Sequence, residues 1–282
     1  MKITTGSADA NGTMLAYTCA GSKDGTPVVL AHSLFMTREM MLPLVTRFAD
    51  HGYFAVAYDH RGQGGSSPAI RRDLDLDTLT EDLAALITEL GLKQPHVVGN
   101  SLGGMVALRL AAGRPRLLRT ATAIGASAEE EYRREEFDPL VDHLIANGTT
   151  GMVDIGGGAM QVRNILAHIM FGDDTLAGKT ALTERWMNYF DQLPPTIGDA
   201  ADAVVTRDSV RADLKGCKVP VLAIAGEQDH AYPDPISGKN IAEAVGAKGH
   251  HVVIPGAGHS PALEQPSLVY AELVQHFARA DA

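Results

Sequence analysis

Short apolar runs separated by amphipathic stretches recur between Val28 and Gly125, the rhythm of strand–helix units that build a parallel sheet. The runs are Val28 to Ala31, Phe54 to Tyr58, Val97 to Val98 and Ala121 to Ile124. Between the second and third, Leu79, Leu83, Leu86 and Leu90 fall at helical spacing. The stretch Thr78-Leu79-Thr80-Glu81 reads as a capping box at the start of this crossover helix, and Gly91 supplies its stop.

The rhythm breaks after Gly125 and resumes with a buried strand from Val219 to Ala225, then Val252 to Ile254, then a final helix carrying Leu268, Val269, Leu273 and Phe277. The interval between them holds charged helical sequence from Glu129 to Ile145, the glycine run 156–158, and apolar helical segments at Ile165 to Phe171 and Trp186 to Leu193. This pattern predicts a mostly helical cap over residues 127–216, inserted into an α/β core made of residues 1–126 and 217–282. Above the sheet's carboxyl edge such a cap would cover a ligand crevice.

Composition narrows the classes of function. The 34 acidic against 24 basic side chains give a formal charge of -10, which repels phosphate backbones and anionic lipid, so neither nucleic acid nor membrane is expected as a partner. The mean hydropathy of -0.02 is that of an ordinary globular chain. Two cysteines, Cys19 and Cys217, form neither a disulfide framework nor a metal or redox motif. The first residues lack the apolar core of a signal peptide, and no window is apolar enough to span a membrane, which points to the cytoplasm. His250 and His251 open a strand without H-x-x-x-H spacing, so no metal site and no cofactor are expected.

The chemistry concentrates in a few loops. His96-Val97-Val98-Gly99-Asn100-Ser101-Leu102-Gly103-Gly104 sets a G-x-S-x-G motif between a predicted strand and an apolar helix, the setting of a nucleophile elbow. Glycines at 99 and 103 allow the tight turn that holds Ser101 out at the sheet's edge, near the positive end of the helix. Further on, the strand ending at Ala225 leads into Gly226-Glu227-Gln228-Asp229, and the strand ending at Ile254 into Gly256-Ala257-Gly258-His259. Serine, acid and histidine thus follow one another in loops after core strands.

In these features, and in Asp59-His60-Arg61-Gly62-Gln63-Gly64-Gly65-Ser66, the chain resembles the α/β-hydrolase superfamily along essentially its whole length. The resemblance implies an α/β-hydrolase fold, a mostly parallel central sheet with helices on both faces and an inserted cap. It implies a Ser-His-Asp arrangement in which Ser101 is the nucleophile, His259 the general base and Asp229 the acid that orients it. Glu227, Asp234 and His230 lie close by, but Asp229 fits the family's G-x-x-D spacing. The oxyanion hole would use the backbone N–H of Leu102 and one from the loop after Ala31, at Leu34 or Phe35. There the chain reads His32-Ser33-Leu34-Phe35, where many relatives have His-Gly, and position 63 is Gln where many have His. Asp59, Arg61 and His32 read as loop braces.

A serine at 101 argues against chemistry through an aspartate ester, as in halide displacement or epoxide opening. The oxyanion loop, the cap and the segment from Gly256 to Pro266 look most like 3-oxoadipate enol-lactonase-type enzymes, which implies a small-molecule ester or lactone substrate. C–C hydrolases of ring-cleavage diketones are the alternative, and a non-enzymatic small-molecule receptor on the same fold is the reading from another class. Phe35, Asn100, Trp186 and His168 are the candidate substrate contacts.

Overall fold

The structure is a computed structural model that describes residues 2–194 and 196–281. Ten strands form among the described residues: β1 (Thr4–Ala10), β2 (Thr13–Ala20), β3 (Pro27–Ala31), β4 (Phe54–Tyr58), β5 (His96–Asn100), β6 (Thr120–Ile124), β7 (Met152–Asp154), β8 (Ala159–Gln161), β9 (Val221–Gly226) and β10 (Gly249–Ile254). Eight of them make one sheet in the order β1-β2-β4-β3-β5-β6-β9-β10. From β4 to β10 every pairing is parallel, and β1 and β2 extend the sheet antiparallel at one edge. Each apolar run of the sequence pattern lies in or overlaps one of these strands. Strand β1 has no such signal, because Thr4–Ala10 contains no apolar run to announce it.

The first helices to pack on this sheet are α1 (Leu42–Asp50), α2 (Leu76–Glu89) and α3 (Leu102–Gly113). Helix α2 starts earlier than the capping box predicts. Asp75 takes the cap position, its carboxylate accepting from Thr78 N–H at 2.7 Å and from the Thr78 hydroxyl at 2.8 Å. An aspartate whose oxygens are free to turn back outcompetes a threonine three residues on, which becomes its partner. Gly91 does end the helix, with φ +64 in the left-handed region and its N–H on Thr88 O.

Between β6 and β9 lie α4 (Arg134–Asn147), α5 (Val162–Met170), α6 (Asp173–Ala177), α7 (Ala181–Phe190) and α8 (Ile197–Val205). The first of these begins at Arg134 and not near Glu129, because Glu129 pairs with Arg211 and Glu131 with Arg207, which holds both acids in a loop. Strands β7 and β8 pair only with each other, antiparallel, across the glycine run. The chain closes with α9 (Lys239–Val245), α10 (Pro261–Glu264) and α11 (Pro266–Asp281). Phe48 of α1 stacks on Phe277 of α11, which in turn stacks on buried His96 of β5.

The sheet itself places a site at its carboxyl edge. Strand β3 has β4 on one side and β5 on the other, so the chain order reverses at β3, and a crevice opens beyond the carboxyl ends of β3 and β5. Strands β5 and β9 are buried along their whole length, which makes the loops leaving them part of a fixed frame.

Candidate active site

At the end of β5 the backbone turns so sharply that Ser101 takes φ +52 and ψ -115, a sparsely populated conformation that costs about 1–3 kcal/mol. Glycines make the turn possible. A Cβ on Gly99 would lie 2.0 Å from Gly103 O, and one on Gly103 would lie 2.4 Å from Ala31 O. The Ser101 N–H is anchored on Ile124 O at 2.7 Å, and Gly103 N–H on His32 O at 3.2 Å. Leu102 follows as the first residue of α3, where helix geometry leaves backbone N–H groups without an intrahelical acceptor.

Beside it, His259 Nδ1 lies 2.9 Å from Asp229 Oδ2 and 3.1 Å from Oδ1, with both side chains almost wholly buried. Asp229 Oδ1 also accepts from the N–H groups of Ala231 and Tyr232 at 2.8 and 2.9 Å. Nδ1 therefore carries the hydrogen in the neutral ring, and Nε2 is the basic nitrogen. The pair packs down on Gly125, which sits at φ +53. A Cβ there would come within 2.9 Å of His259 O and 3.2 Å of its Nδ1. The three neighbours of Asp229 are occupied elsewhere: Glu227 on Gly256 N–H, Asp234 on Lys239 N–H and His230 on Asp173.

Ser101 and His259 share the lining of one cavity of about 60 Å³ with Leu34 and Phe35. Those two residues form the middle of a turn closed by Met36 N–H on Ser33 O at 3.1 Å. Beneath it His32 donates from Nδ1 to Ser33 O and accepts at Nε2 from His60 N–H, and burial pushes its pKa down to about 4. Farther along, Asp59 accepts from Gly65 N–H and pairs with Arg38, while Arg61 pairs with Asp82.

The opposite wall is apolar, with Leu140, Val141 and Leu144 from α4, Met170 from α5, and Val204 from α8. Glu131 is its one charged lining residue among the described residues. Its Oε2 accepts from Arg207 Nη1 at 3.0 Å and from the Tyr232 hydroxyl, and its Oε1 from Arg133 N–H at 3.1 Å. Burial drives the Tyr232 phenol far above its ordinary pKa, with the Arg207 charge acting against it. Removing either ion of the buried Arg207–Glu131 pair would cost about 3–5 kcal/mol. Sequence reasoning missed this group because its members lie in three separate loops; only Tyr232, three residues after Asp229, carried a local signal.

Three expected substrate contacts fall elsewhere. Asn100 is fully buried outside the cavity, and its Nδ2 donates to Ser33 Oγ at 3.0 Å and His259 O at 2.8 Å, so it ties three loops together. Trp186 is buried and lines outer clefts shared with Glu39, and is not among the residues that line the cavity of Ser101. His168 is exposed on α5 and stacks on His230, since the α5 positions facing the cavity are Ile169 and Met170.

The sequence profile of the alpha/beta hydrolase family matches residues 28–273. The chain belongs to that family. Among solved structures, this alpha/beta hydrolase is similar to the enol-lactonase from Burkholderia xenovorans LB400, with a TM-score of 0.84, 22% identity, and coverage of 97% of this chain and 100% of that one. Among curated sequences it is 27% identical over 240 residues to a non-heme chloroperoxidase of Streptomyces lividans, covering 79% of this chain and 82% of that one. It is also 25% identical to epoxide hydrolase A of Mycobacterium tuberculosis over 306 residues, 95% of each chain. No helix among the described residues is long and apolar enough to cross a membrane.

Proposed function

We propose that this hydrolase cleaves small, uncharged carboxylic esters or lactones through an acyl-enzyme on Ser101. The observation that carries the reading is the His259–Asp229 pair, which points the basic face of the imidazole into the same apolar cavity that holds the serine. His259 Nε2 takes the Ser101 proton as Oγ attacks the carbonyl carbon, and Asp229 stabilises the imidazolium that results. The oxyanion forms against the N–H of Leu102 and one from the turn at Leu34 or Phe35. His259 returns its proton to the departing alkoxide; water, activated in turn by the same nitrogen, then releases the acid.

In this reading residues 127–216 act as a cap whose α4, α5 and α8 side chains close over the acyl group. The cavity is small, about 60 Å³, and lined mainly by apolar side chains, which favours a short acyl group. A substrate with a free carboxylate, such as 3-oxoadipate enol-lactone, would meet only Glu131, whose charge Arg207 already balances. Neutral substrates are favoured for that reason. The serine at 101 also sets this chain apart from an epoxide opening through an aspartate ester.

Ser101→Ala should lower turnover of p-nitrophenyl acetate by up to about a millionfold and abolish labelling by a fluorophosphonate, with the Tm nearly unchanged. A folded variant retaining more than about a tenth of wild-type activity would overturn the assignment of the nucleophile.

A further inference from the structure

We propose that His168, Asp173 and His230 form a surface site for a divalent transition-metal ion of the zinc type, pinning α5 and α6 to the loop that carries Asp229. One ligand atom from each residue lies within 4.8 Å of the others. His230 Nε2 and Asp173 Oδ1 are 3.0 Å apart. Two ligands each about 2.0–2.1 Å from a tetrahedral zinc ion stand about 3.3–3.4 Å apart, so this hydrogen-bonded pair needs to open by only a few tenths of an ångström to hold one. The His168 ring lies over the His230 ring at 4.2 Å between centroids, with its side chain on the surface. Two imidazoles and a carboxylate suit zinc and its neighbours, and water would complete the shell.

The backbone beneath the cluster is held in place independently. Asp174 N–H donates to Gln228 Oε1 at 3.0 Å, and Gln228 Nε2 donates back to Asp174 Oδ2 at 2.9 Å. Gly172 and Gly258 touch so closely that a Cβ on Gly258 would lie 2.0 Å from Gly172 N. An ion would therefore find two of the three side chains on a braced frame, with little ordering left to offset its binding. Arg133, which donates to His230 O at 2.8 Å, opposes a cation, and its pairing with Glu136 at 2.6 Å blunts that charge. The spacing of histidines along the chain gave no sign of this site, because its ligands come from α5, the start of α6 and the loop after β9.

The test is calorimetric titration of the metal-free full chain with Zn(II), with Co(II) absorption as a reporter of the ligand set. Expected are one ion per chain, a Kd in the micromolar range or tighter, and a higher Tm with Zn(II) present. His168→Ala and His230→Gln should each weaken binding by roughly tenfold or more. His250→Gln should not, and neither should Ser101→Ala, so the outcome stands apart from that of the hydrolase reading. Both ligand variants change exposed or half-exposed side chains, and their Tm without metal checks that they fold. Binding of equal strength in wild type and both ligand variants, or no stoichiometric binding, would overturn the proposal.

Discussion

The two walls of the Ser101 cavity are held by different forces. Along the sheet's edge, Asp229, His259, Asn100, Ser33 and His32 form a chain of buried hydrogen bonds, and glycines at 99, 103 and 125 let backbones touch where no side chain fits. Across from them, Leu140, Val141, Leu144 and Val204 meet the cavity with apolar surface, and the one polar group there among the described residues is the Glu131–Arg207–Tyr232 cluster. Hydrogen bonds are directional and fix geometry to fractions of an ångström, whereas apolar packing tolerates exchange of volume. The first wall is suited to hold reacting atoms and the second to set which groups fit.

That contrast can be broken most forcefully at Asp229. Asp229→Asn keeps the volume but can hold the imidazole in the wrong tautomer and cannot stabilise its charge, so kcat should fall by up to about ten-thousandfold at neutral pH. Glu227→Gln, whose parent carboxylate accepts from Gly256 N–H, should retain most activity. If Asp229→Asn turned over p-nitrophenyl acetate as fast as Glu227→Gln, the bonded wall would not be the chemical one.

The apolar wall should respond in size preference. Val141→Ala removes two methyl groups from the cavity, and the ratio of kcat/KM for a hexanoate ester to that for an acetate ester should rise by about tenfold. Trp186→Ala, outside the lining of that cavity, should leave the ratio alone. A shift with Trp186→Ala and none with Val141→Ala would show that substrate enters along another face.

The same division marks what the sequence could disclose. The bonded wall was legible because its parts are local: G-x-S-x-G, the four residues 226–229 and the run 256–259 each specify a turn by glycine placement within a few residues. The parallel strands were legible for a similar reason, being short buried apolar runs. The apolar wall was not, because any of several apolar positions on α4, α5, α7 or α8 could have faced inward, and helix rotation is set by packing between elements far apart in sequence. Trp186 and His168 stand out in the sequence for size and chemistry, and the packing chose Val141 and Met170 instead. Asn100 misleads in the opposite sense, as a polar residue next to the serine whose hydrogen bonds all serve the frame.

The smallest expected effect concerns acid and the bonded wall alone. His32 lies fully buried beneath the turn at Leu34, with its pKa pushed down to about 4, and His60 beside it is also held well below the usual range by burial. A histidine kept neutral in the folded state has an unfolded pKa of about 6.5, so below that pH the unfolded chain binds the proton first. The stability this ring contributes is thus complete above about pH 6.5 and is lost as pH falls toward about 4. Glu264 and Asp82, which burial shifts upward, act in the opposite sense and blur the raw profile. The difference in Tm between wild type and His32→Asn isolates the ring from them. It should be greatest above about pH 6.5 and shrink by a few degrees on going to about pH 4. Hydrogen exchange should rise over the same range at residues 32–36 before it rises in α4 or α8, since His32 lies directly beneath that turn with its Nδ1 on Ser33 O. A flat difference curve, or exchange that begins in α4 and α8, would mean that acid loosens the apolar wall first and that the two walls are not held as differently as their contacts indicate.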